Sequence, residues 1–240
     1  MKSAFALRRA SLAISLALAA PALLAQILTH SLTGQTCAGF VTRVVHASAR
    51  EGRAFPWPRR ARALAEGLRA AIPAEAAPRG LATGPLNSQA SLARADALGL
   101  PVVGRGAVAP ADCDVFGRML PEAAMTRFGH GIPHLISPLR AAYQGAAPQV
   151  RVGGAALEYR IAYFGLPRAG DLFEGRSGFA DIQPKHARLA HWLLDARSGA
   201  PYVAAEQIAA NFDLDARRLM ALDGAPLGEL QSLVTPGLTI

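Results

Sequence analysis

Asp112 and Asp114, separated only by Cys113 and followed by Val115-Phe116-Gly117-Arg118-Met119-Leu120-Pro121, are the residues best placed for chemistry in this 240-residue chain. An apolar run from Pro101 to Val108 precedes them, and a helical pattern from Pro121 to Phe128 follows. The spacing predicts two carboxylates and a glycine where a strand ends and a helix starts. Backbone N–H groups at a helix start lack intrahelical partners and can polarise a carbonyl oxygen. A carboxylate beside them can serve as general base or nucleophile. The same aspartates can instead cap the helix.

Other reactive side chains form weaker constellations. Cys37 and Cys113 lie far apart and match no metal spacing, and they fit a reducing compartment. His130 and His134 are four residues apart, but Gly131 and Pro133 predict a loop over 129–138 that would not align them as ligands. No metal site and no cofactor are expected. The net charge is +8, almost wholly from scattered arginines, with local clusters at Arg59-Arg60-Arg62 and Arg217-Arg218. Neither a groove-reading motif nor an aromatic stacking platform accompanies them, so an anionic small molecule is the expected partner rather than nucleic acid.

The surrounding elements follow from periodicity and turn residues. Hydrophobic residues make up 51% and charged residues 18% of the chain, a balance that supports a folded core. A helix is expected from Arg59 to Ala71, a Pro/Ala/Gly-rich linker over 72–88, and a short helix from Ser91 to Leu98. Beyond the 101–129 strand-turn-helix unit, a short helix is expected from Leu139 to Tyr143. Strands are then expected over Ala155–Phe164, Leu172–Ile182, Lys185–Leu194 and Tyr202–Leu214. This order describes an α+β meander of antiparallel strands.

The first residues admit two readings. Lys2, Arg8 and Arg9 followed by apolar Leu12 to Leu24 look like a secretory signal over 1–26. Alternatively, a shift of 165 residues lays Leu24–Leu28 on Leu189–Leu193 and Thr33-Gly34-Gln35 on Ser198-Gly199-Ala200. Both places then read as a hairpin with a Ser/Thr-Gly turn, which would make 12–46 strands of a folded domain.

Taken together, the Asp112-Cys113-Asp114-Val115-Phe116-Gly117 turn, Arg168-Ala169-Gly170-Asp171 before a strand, Ser198-Gly199 in a hairpin and Phe212-Asp213-Leu214 resemble the hot-dog thioesterase superfamily. The turn resembles the 4-hydroxybenzoyl-CoA thioesterase branch. The resemblance covers roughly residues 101–222. It implies an antiparallel sheet wrapped around a helix, one complete unit plus a partial N-terminal unit within 1–71, a 72–100 linker and a 223–240 tail. The implied activity is hydrolysis of an acyl-CoA or related thioester in the cytoplasm, by a homodimer or pseudo-dimer, with no membrane association. Asp114 would be the nucleophile or general base, the amides around Arg118 and Met119 the oxyanion donors, and Gly117 the residue permitting close approach. Asp112 and Glu122 would flank the substrate, while Lys185, His186 and Arg188, in a turn between strands, would meet the coenzyme A phosphates. Many relatives carry Gly-His and a later Asn where this chain has Gly117-Arg118 and Leu120, which leaves a non-catalytic acyl-thioester-binding or subunit-pairing protein as the alternative. Export is the further alternative if 1–26 is a signal.

Overall fold

The computed structural model describes residues 22–48, 53–84 and 88–240. Two compact units divide the chain, Met1–Arg79 and Gly80–Ile240. In the first, β1 (Ala22–Thr29) and β2 (Thr36–Val44) form an antiparallel hairpin. Gly34 closes its turn at φ +70°, a conformation that favours glycine. A two-residue ladder of β3 (Ala47–Ser48) with β4 (Arg53–Ala54) follows, then α1 (Arg59–Gly67). Ala25 of β1 and Ala76 are buried together. The expected strands over 12–21, and most of the alternative signal segment, lie outside the described residues.

The second unit starts with α2 (Leu92–Ala97), β5 (Val102–Ala107), α3 (Pro121–Leu135) and α4 (Ser137–Ala146). The meander follows: β6 (Val152–Tyr163), β7 (Leu172–Gln183), β8 (His186–Asp195) and β9 (Pro201–Asp213), with a short β10 (Arg218–Leu219) and α5 (Gly224–Gln231). Every ladder of the sheet is antiparallel, in the order β5-β7-β8-β9-β6, and β10 extends the end of β9. One face of the sheet packs on α3 through Phe128, Ala124, Phe173, Leu193 and Val203. This is the expected α+β architecture, an antiparallel sheet packed against one helix.

The central strands β7, β8 and β9 are buried on both sides, which explains their near-continuous apolar sequences. Along β8, Leu189, His191 and Leu193 point toward the α3 side. Ala190, Trp192 and Leu194 point the other way, against Ala95 of α2, Leu100, Leu238 and Ile240. The expected linker and tail are therefore corrected. Residues 80–100 and 223–240 belong to the second unit, and Leu81, Ala90, Ala95, Leu230 and Leu238 are buried there. Small residues that read as linker composition also suit close packing.

A second correction concerns α3, which runs unbroken to Leu135 through the expected 129–138 loop. Gly131 sits where α3 crosses β5, and a Cβ there would collide with the Val103 carbonyl. Gly129, two residues earlier and facing outward, has open space. Tertiary packing thus selects glycine at a position where propensity alone predicts a break. Gly131→Ala should destabilise the protein by about 1–3 kcal/mol through overpacking. Gly129→Ala should be neutral or stabilising. Paired thermal melts check this, and equal melting temperatures for the two variants would contradict it.

Candidate active site

The aspartate turn is built by local hydrogen bonds. After a single 3-10 turn at Pro110–Asp112, Cys113 and Met119 pair in an antiparallel bridge, and Asp114–Gly117 closes a tight turn between them. The Asp114 N–H donates to the Arg118 carbonyl at 2.8 Å, and the Gly117 N–H donates to the Asp114 carbonyl at 3.0 Å. Gly117 has φ +72°, so the turn needs a residue tolerant of the left-handed region. One carboxylate oxygen of Asp114, Oδ1, accepts the N–H groups of Phe116 at 2.8 Å and Arg118 at 3.0 Å. These bonds fix the carboxylate while leaving its Oδ2 outside them. Asp114 is half-buried and does not cap α3, whose N-cap position is Leu120.

The expected oxyanion donors are corrected. The Arg118 N–H is committed to Asp114, and the Met119 N–H donates to the Pro167 carbonyl at 2.7 Å. The hydrogen-bonding turn between strand and helix consumes both amides. Asp112 is also separated in role from Asp114, because its carboxylate forms an ion pair with Arg127 of α3. The Arg127 guanidinium in turn lies 5.5 Å from the centre of the Phe173 ring. Asp112 therefore ties the turn to the helix rather than forming a carboxylate pair.

Glu122 stands in the first turn of α3, exposed, beside a group that the sequence reading missed. The Tyr163 hydroxyl, at the end of β6, lies 3.4 Å from the Pro121 carbonyl. Burial, reinforced by the negative charge of Glu122, pushes the Tyr163 phenol above its ordinary range. The phenol thus stays protonated and remains a hydrogen-bond donor at neutral pH. Tyr163 was legible only as one member of an alternating strand, and its approach to Pro121 joins residues 42 apart in the chain.

The expected phosphate-binding group is split. Lys185 is exposed at the β7–β8 turn, His186 begins β8, and Arg188 lies within β8. Arg188 is thus not a turn residue, and it reaches the buried Glu206 carboxylate at 3.3 Å. The aspartate turn sits at the opposite end of β7, where the Val108 N–H donates to the Asp171 carbonyl and the Val108 carbonyl accepts from the Gly170 N–H. A strand of that length spans about 35 Å, so Lys185 and His186 do not join Asp114 within one unit. The cations beside the aspartate turn are Arg118 and Arg168, opposed in an antiparallel bridge.

A buried polar triad lies under α3. Ser177 Oγ is 2.8 Å from His191 Nδ1, and His191 Nε2 is 3.0 Å from Gln207 Oε1, with the Phe128 ring 5.3 Å from the imidazole. With Gln207 Oε1 as acceptor, the neutral ring carries its proton on Nε2 and accepts the Ser177 hydroxyl at Nδ1. Burial holds the His191 pKa down at about 4, only partly opposed by Gln207. Ser177 and His191 are fully enclosed, so the triad organises the core rather than meeting substrate. Among the described residues no cluster of three or more His, Cys, Asp or Glu could hold a metal ion, and no helix is long and apolar enough to cross a membrane.

No family model matches the chain, and no curated protein does. Solved structures similar to it include the probable thioesterase YbaW from Escherichia coli, at 14% identity, covering 55% of this chain and 97% of that one, TM-score 0.47. A hypothetical Staphylococcus aureus protein in complex with CoA is 16% identical, covering 59% and 90%, TM-score 0.48. A 1,4-dihydroxy-2-naphthoyl-CoA thioesterase from Synechocystis is 14% identical, covering 54% and 93%, TM-score 0.45. These are distant likenesses of fold.

Proposed function

We propose that the second unit binds acyl thioesters of a phosphate-bearing carrier such as coenzyme A and hydrolyses them, with Asp114 as nucleophile or general base. The observation that carries this reading is the Asp114 carboxylate, pinned through Oδ1 by two amides of its own turn with Oδ2 left for chemistry. A thiolate is a tolerable leaving group, since a free thiol has a pKa near 8.5, so strong acid assistance is unnecessary. The substrate carbonyl oxygen would be met by the Tyr163 hydroxyl and the Glu122 amide at the start of α3, in place of Arg118 and Met119. Arg118 and Arg168 put like charges side by side, an arrangement that an anionic carrier relieves.

In this reading two copies pair along the outer edge of β6, whose only ladder partner among the described residues is β9. A two-fold pairing reverses strand direction, so Lys185 and His186 of one copy approach the Asp114 end of the other. The free thiols Cys37 and Cys113 suit a cytoplasmic setting. Light scattering should give twice the 25.1 kDa chain mass; a monomer would remove Lys185 and His186 from the site.

A second reading, binding without hydrolysis, is favoured by one observation: the Arg118 and Met119 amides are already occupied. Thiol release from a panel of acyl-CoA substrates separates the two. Release supports hydrolysis, binding without release supports the second reading, and neither result would overturn both.

A further inference from the structure

His130 and His134 fall on the continuous stretch of α3 rather than in a loop, and both are exposed. Residues four apart on a helix lie one above the other on one stripe, with Cβ atoms about 6 Å apart. The opposite side of the same turn is fixed. Phe128 is buried in the core, and Gly131 packs against the Val103 backbone. The helical pitch between the two histidines is therefore set by packing that they do not themselves make. Neither imidazole has a hydrogen-bond or ring partner among the described residues.

We propose that His130 and His134 form a two-imidazole chelate for a divalent transition-metal ion of the Zn²⁺, Ni²⁺ or Cu²⁺ type on the outer face of α3. Imidazole nitrogens suit these ions, and hard oxygen-seeking cations such as Mg²⁺ would be refused. No third His, Cys, Asp or Glu completes a cluster among the described residues, so water fills the remaining positions. The site is distinct from the aspartate turn, which closes before α3 begins at Pro121, whereas His130 stands nine residues further along the helix. Both histidines can be replaced without touching the core.

The test uses tag-free, full-length protein and Ni²⁺ or Cu²⁺ alone as the probe. Calorimetry should find one Ni²⁺ per chain, with His130→Ala and His134→Ala each weakening binding by roughly tenfold or more. Cu²⁺ electron paramagnetic resonance should show two imidazole nitrogens in the native protein and one in either variant. His186→Ala and Cys37→Ser should bind as the native chain does. Metal binding unchanged in the α3 variants, binding lost in the His186 or Cys37 variant, or no binding at all would each overturn the proposal.

Discussion

Asp114→Asn should lower the turnover of acyl-CoA by about a hundredfold to ten-thousandfold, the range set by loss of a positioned base. Asparagine keeps an Oδ1 that can accept the Phe116 and Arg118 amides, so the turn should hold and the melting temperature should barely move. Only the charge and basicity at Oδ2 are lost. KM should stay within a few-fold, because the side chain acts on the reaction and not on the carrier. Steady-state thiol release with matched melts checks this. Equal kcat in the two proteins would remove Asp114 from the chemistry.

Acid should destabilise the protein through His191. Its folded pKa is about 4, below the ordinary 6.5, so the unfolded chain binds the extra proton first. The corresponding stability is present in full above about pH 6.5 and is lost progressively as pH falls toward 4. The shift corresponds to about 3 kcal/mol at most. Two carboxylates act in a lower window. Burial alone would raise Glu174, but Arg105 and Arg176 hold it below its usual range, and the Arg197 N–H and Ser198 hydroxyl do the same for Asp195. Their contributions fade only below the unfolded carboxylate range near pH 4. Urea midpoints of the native chain and His191→Gln, which keeps a polar side chain between Ser177 and Gln207, isolate the histidine. The difference in slope between pH 6.5 and 4 should belong to His191; parallel curves would contradict it.

The sheet was legible because its signals are local. Alternation marked β6, the Ser198-Gly199 turn marked the β8–β9 hairpin, and Gly34 at the same 165-residue offset marked β1–β2. Ser91 announced α2, and its hydroxyl does accept the Arg94 N–H at 3.1 Å. What failed depended on distant partners. Gly131 and Pro133 read as a helix end because nothing local reveals that Val103 demands close approach. The Arg118 and Met119 amides read as available because their acceptors, the Asp114 side chain and the Pro167 carbonyl, are chosen by how the turn closes. Tyr163 and the Ser177–His191–Gln207 triad are invisible in sequence for the same reason: each is assembled across strands.

The most direct test of the account is a crystal structure of Asp114→Asn with an acyl-CoA bound. The thioester carbon should lie in van der Waals contact with the residue 114 side chain, its oxygen toward the Tyr163 hydroxyl and the start of α3. Density for the acyl thioester elsewhere on the chain, with residue 114 facing bulk water, would contradict it.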